Sequence, residues 1–230
     1  MTDGQILIVA DNIVLGFDEH GRADITEKKS ILVKNNRIKE IGPSAQLKKE
    51  YPNIPEFGGQ DVVAMPGLVN AHHHLGITPF QLGAQDRPLE LWFAERLGMR
   101  HVPPKLDTLY SAFEMISSGI TTVQHLQSRA PGNLSSVVNQ ANKIIEAYKL
   151  IGMRASYSFA LRDQNRMIYD SDEKFIELLP TNLRPNVKKY FDSFNLSLNE
   201  QLEVFRILTE QHLEDNLIEI QLAPSNLHWL

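Results

Sequence analysis

The segment Met65-Pro66-Gly67-Leu68-Val69-Asn70-Ala71-His72-His73-His74-Leu75 constrains this chain more than any other. An apolar run with strand character stops at a polar residue, and histidines then stand two apart. In an extended segment, residues i and i+2 point to the same face. His72 and His74 therefore aim two imidazoles at one point, and His73 points away. Two neutral imidazoles converging on one point suit a divalent transition ion, most often zinc. Adjacent histidines are also what an expression tag or a chance surface cluster leaves. This run is internal, follows an apolar strand, and is punctuated by Pro66-Gly67 before it and Leu75-Gly76 after it, which favours a built site. A metal-activated water at the end of a barrel strand makes a hydrolase.

The pattern changes across the motif. Before it, residues 5–14 and 30–42 read as strands, with Ile31, Val33, Ile38 and Ile41 at the apolar positions and Asn35-Asn36 as a hairpin turn. Ser44 is expected to cap a short helix through Glu50, residues 51–55 break it, and residues 61–65 form a last strand. After the motif, strands and helices alternate. Strand one covers 67–71, helices cover 88–100 and 105–118, and strand two covers 120–125. A helix over 133–151 ends at Gly152, and strand three covers 154–161. Residues 162–196 read as a long irregular excursion with Pro180 and Pro185. Ser197 caps a helix over 198–214 with Glu200 at the capping-box position, and strand four covers 217–223. This implies a small β domain over 1–65 and an α/β barrel-type domain over 66–230 with parallel strands.

In such a barrel the active site lies at the C-terminal ends of the strands. His125 stands at the end of strand two, where it either orients substrate or a metal ligand or is a hydrogen-bonded histidine near the rim. Arg162-Asp163, after strand three, is either a substrate clamp or an ion pair bracing the excursion. Gln81, in the loop after the histidines, either hydrogen-bonds a heterocyclic amide or is polar simply because a loop needs polar residues. His20, His101 and His212 have no evident partner and read as surface residues.

Pro-Gly-Leu-Val-Asn-Ala-His-x-His, from Pro66 to His74, resembles the first-strand signature of the amidohydrolase superfamily of metal-dependent deaminases and hydrolases. Ser118-Gly119-Ile120-Thr121-Thr122-Val123 resembles the family's second barrel strand with its preceding glycine, and residues 1–65 resemble its small β-sandwich, of the composite, urease-like type. The resemblance implies an α/β fold: the first half of a distorted (β/α)8 TIM-type barrel preceded by that sandwich. Two-metal members bridge their ions with a carboxylated lysine at the end of strand four. That strand has no lysine here, so a single divalent metal is implied, zinc, or iron as the second choice. The resemblance further implies a strand-five histidine with a neighbouring acid/base glutamate, a strand-six histidine and a strand-eight aspartate. The branch most similar to this chain includes cytosine, guanine and S-adenosylhomocysteine deaminases and triazine hydrolases. The implied reaction is therefore hydrolytic deamination or dehalogenation of a small N-heterocycle. The rival readings are a two-metal cyclic amidase or dipeptidase, and a non-catalytic amidohydrolase-like assembly protein. Simple metal sequestration by the histidine cluster is a further one.

Composition enters at a few points. A net charge of −5 and a pI near 5.9 give no reason to expect nucleic-acid binding. Without cysteine, any metal must be held by His, Asp or Glu. No apolar run approaches a membrane span and the first residues are no signal peptide, which favours the cytoplasm. Barrel hydrolases often pair, so a homodimer stays open. Beyond residue 65 roughly 165 residues remain, where a complete barrel takes at least about 200. The expectation is an N-terminal half-site, inactive alone.

Overall fold

Period-two alternation of apolar side chains organises the first unit of the chain, Met1–Gly67. The computed structural model describes residues 4–75, 84–88, 91–92, 95, 99, 102–128, 130–164, 171–224 and 226. In chain order the first unit holds β1 (Gln5–Val9), β2 (Asn12–Phe17), β3 (Ala23–Glu27), β4 (Lys29–Lys34), β5 (Arg37–Pro43), α1 (Ser44–Glu50), β6 (Glu56–Gly58) and β7 (Val63–Ala64). They make two sheets, in the orders β5-β4-β1-β6 and β3-β2-β7. Leu7 of β1 and Leu32 of β4 turn to one face of the first sheet and bury against Leu47 of α1. Their neighbours Ile8, Ile31 and Val33 turn to the other face and share a cluster with Ile13 and Ala64 of the second sheet. Asn35 and Asn36 close the β4–β5 hairpin at φ 52° and 60°, the left-handed pair that a tight right-twisted hairpin needs. Ser44 is not the cap of α1. Pro43 holds that position, and the Ser44 Oγ accepts from the Ser30 hydroxyl at 2.8 Å instead.

The second unit, Leu68–Leu230, contains β8 (Leu68–His73), α2 (Pro104–Ser117), β9 (Ile120–Gln127), α3 (Leu134–Ile151), β10 (Arg154–Leu161), α4 (Asp172–Leu178), α5 (Arg184–Asp192), α6 (Leu198–Gln211) and β11 (Ile218–Pro224). The strands form one parallel sheet in the order β8-β9-β10-β11. One face carries Val123, Ala155, Tyr157, Phe159 and Ile218, buried in a single core with Ile144 and Tyr148 of α3 and Val204 and Leu208 of α6. Alternation sends Gln124, Ser158 and Gln221 to the opposite face. Among the described residues no helix is long and apolar enough to cross a membrane.

Residues 162–196, expected to be irregular, contain two helices. The Ser171 side chain caps α4 by accepting from the Lys174 N–H, and Pro185 lies in the first turn of α5. A proline there removes no helical hydrogen bond, so it starts a helix rather than breaking one. His212 is also not a free surface residue. At the C-terminus of α6 its ring folds back to 3.1 Å from Asn142 Oδ1 on α3 and 3.8 Å from Asp215, which pairs with Lys149.

The N-terminus of α6 has a full capping box. Ser197 Oγ accepts from the Glu200 N–H at 3.3 Å, and the Glu200 carboxylate accepts from the Ser197 N–H at 2.8 Å. Ser197→Ala should cost about 1 kcal/mol, a loss of roughly 2–4 °C in Tm for a chain of this size. An unchanged melting curve would show that the box contributes nothing.

Candidate metal centre

The site begins with one extra residue. β8 pairs with β9 at Asn70↔Val123 and next at His73↔His125, so three steps on β8 answer two on β9. Such a bulge re-aims side chains at the end of a strand. Asn70 braces it, since its Oδ1 accepts from the His72 N–H at 3.2 Å and its Nδ2 reaches Met115 Sδ of α2 at 3.4 Å.

The three histidines then part. The His73 ring meets the His125 ring edge to face, with centroids 5.8 Å apart. Burial pushes its pKa below the ordinary value, and the neighbouring His74 adds to this. His72 and His74 come together edge to face, with ring centroids 4.7 Å apart and the two Nε2 atoms 3.0 Å apart. His74 Nδ1 stands 2.8 Å from the Leu126 carbonyl oxygen. A carbonyl only accepts, so this nitrogen carries the hydrogen and His74 Nε2 keeps its lone pair. His72 Nε2 either donates to that lone pair or, in its Nδ1–H form, offers a second lone pair to the same point. Among the described residues no third His, Asp or Glu joins the pair.

His125 needs correction as a substrate-binding residue. Its side chain is on the same strand face as Val123, two residues away, and that face is the helix-covered core. The ring is 0% exposed, stacked on Tyr157 at 5.4 Å, with Tyr148 Oη at 2.8 Å from Nδ1 and Gln127 Oε1 at 3.2 Å from Nε2. Burial lowers its pKa from 6.5 to about 3. The unfolded chain, whose histidine titrates near 6.5, thus binds a proton between pH 6.5 and 3 that the folded chain refuses. Stability from this group is fully present above pH 6.5 and falls as pH drops towards 3, by up to roughly 1.4 kcal/mol per pH unit. His125→Gln should remove that share of the slope when urea unfolding is followed against pH. Equal slopes in the two proteins would contradict the assignment.

Arg162 follows β10, and its main chain is clamped by the Gln201 side chain, which accepts from the Arg162 N–H at 2.9 Å and donates to its carbonyl at 3.0 Å. Gln81 lies outside the described residues. Sequence reasoning missed Asn70 as the brace, the Leu126 carbonyl and the Tyr148 hydroxyl. Only Asn70 carried a signal, as a polar residue interrupting an apolar run.

Residues 63–218 match the model of the amidohydrolase family. The chain is 29% identical over 178 residues to 5'-deoxyadenosine deaminase of Methanocaldococcus jannaschii, covering 75% of this chain and 37% of that one. It is 29% identical over 127 residues to 5-methylthioadenosine/S-adenosylhomocysteine deaminase of Thermodesulfovibrio yellowstonii, covering 52% of this chain and 28% of that one. Its fold is similar to that of atrazine chlorohydrolase from Arthrobacter aurescens TC1, solved in complex with zinc. The TM-score is 0.71 at 19% identity, covering 97% of this chain and 47% of the other. The chain thus matches less than half the length of each of these proteins.

Proposed function

Because the chain belongs to the amidohydrolase family, we propose that it supplies the first two ligands of a single-metal hydrolase that deaminates a small N-heterocycle. The observation that carries this reading is the approach of His72 and His74, Nε2 to Nε2 at 3.0 Å, with His74 Nδ1 already engaged by Leu126. Nitrogens at that spacing both reach one zinc ion at the usual distance of about 2.0–2.1 Å. Without cysteine the donor set is nitrogen and oxygen, which suits zinc and, second, iron. When bound, the ion supplies a water acidic enough to act as hydroxide near neutral pH. The chain's own residues prepare for this. Leu126 orients His74, Asn70 holds the bulge that lifts His72, and the half-buried His73 turns towards His125 instead.

The absence of lysine from β11 supports one ion rather than a lysine-bridged pair. On this reading the four parallel strands are the first four of a (β/α)8 barrel, and the two-sheet unit is the family's β-sandwich. The remaining ligands and the proton-transfer carboxylates come from outside the described residues. Arg162 and Gln81 are assigned to substrate. The names of the similar deaminases make adenine nucleosides altered at the 5' position the first compounds to test. In all of them water replaces an amino group on an electron-poor ring carbon.

The test is ammonia release from such nucleosides after zinc loading. The 230-residue chain alone should give none, and the same chain extended by the missing half of its barrel should turn over. Turnover by the isolated chain would overturn the half-site reading.

A further inference from the structure

His125 is an unusual residue to bury where it lies. An apolar side chain of similar size would fill the space between sheet and α3 without the cost of desolvating two ring nitrogens. Both nitrogens are instead matched. Gln127 Oε1 can only accept, so the hydrogen sits on His125 Nε2, and Nδ1 accepts from the Tyr148 hydroxyl. The main-chain carbonyl of His125 is held as well, accepting from the Ser158 hydroxyl at 2.9 Å. The end of β9 is therefore anchored at residue 125 through ring and backbone, and tied again at Gln127.

Leu126 lies between those anchors, and its carbonyl is the one that meets His74 Nδ1 at 2.8 Å. β8 ends at His73, opposite His125, so one step further along β9 the partner on that side is an imidazole from the residue that follows the strand. A histidine without such an acceptor favours the Nε2–H tautomer, which would put a hydrogen on the nitrogen that faces His72.

We propose that His125, Tyr148 and Gln127 form a positioning device for the histidine pair, fixing the Leu126 carbonyl and through it the tautomer and ring direction of His74. The device rests on the metal-centre reading for its purpose. The hydrogen bonds that compose it do not depend on that reading.

The test uses the 230-residue chain, zinc-free, as wild type, Tyr148→Phe and Gln127→Leu. Long-range proton–nitrogen NMR of the imidazoles, with His74 identified by its loss in His74→Asn, reads the tautomer. Competition with a zinc chelator reads affinity. The wild type should show His74 only as Nδ1–H. Tyr148→Phe should populate the Nε2–H form and weaken zinc by about 10-fold or more, the usual effect of losing an outer partner of a metal ligand. Gln127→Leu should move both readouts the same way and decides the matter should Tyr148→Phe not fold. If both variants keep His74 as Nδ1–H with zinc affinity within about twofold, the network is structural only and the proposal is overturned. If the wild-type chain binds no zinc through His72 and His74, the metal reading falls, and the tautomer shift alone confirms or rejects the positioning.

Discussion

His74→Ala and His72→Ala should each weaken zinc binding by more than the roughly 10–100-fold lost when only an outer partner of a ligand is removed. His73→Ala should leave affinity within a few-fold while lowering stability, because that ring faces His125 and the core rather than its neighbours' shared point. The contrast matters more than any single value. Three consecutive histidines acting as a loose cation trap would each contribute similarly. A bulged strand that sends two rings one way and one the other makes the middle residue dispensable for metal. Chelator competition on the three variants separates the two cases, and comparable losses at all three positions would refute the geometric account.

Gly58→Ala should be the most damaging single methyl addition in the first unit. Gly58 has φ +94°, a conformation L side chains rarely adopt, and a Cβ there would lie 2.1 Å from the Val9 carbonyl oxygen. The clash is with backbone of the paired strand β1, in register Val9↔Gly58, so no rotamer change relieves it. Backbone strain of about 1–3 kcal/mol adds to a steric cost of about 1–3 kcal/mol, so the loss should approach several kcal/mol. Gly21→Ala makes a useful control, since that glycine also has positive φ (+75°) but nothing stands within 4 Å of its Cβ. Urea unfolding that ranks the two variants equally would show that β1–β6 pairing does not hold this unit together.

The parts of the fold that were legible in the sequence are those that a local backbone requirement writes into residue type. Asn35-Asn36 announced a left-handed turn, Gly152 a left-handed helix end at φ 75°, and Ser197 with Glu200 a capping box. The helices of residues 162–196 were hidden because Pro185 reads as a breaker, although it stands where a helix tolerates proline. His72 and His74 were legible as a converging pair from their spacing alone. Their companion, the Leu126 carbonyl, was not, because a main-chain acceptor has no residue signature and is brought near by strand register. For His125 the signal was present. It stands two residues from Val123 on one strand, and that alternation assigns it to the core face.

The most direct test of the central claim is zinc-edge X-ray absorption on the zinc-loaded chain and on the His72→Ala/His74→Ala double variant. The account predicts imidazole scattering from two rings with nitrogen at about 2.0–2.1 Å, lost when both histidines are removed. The same spectrum from the double variant, or a wild-type spectrum without imidazole, would contradict it.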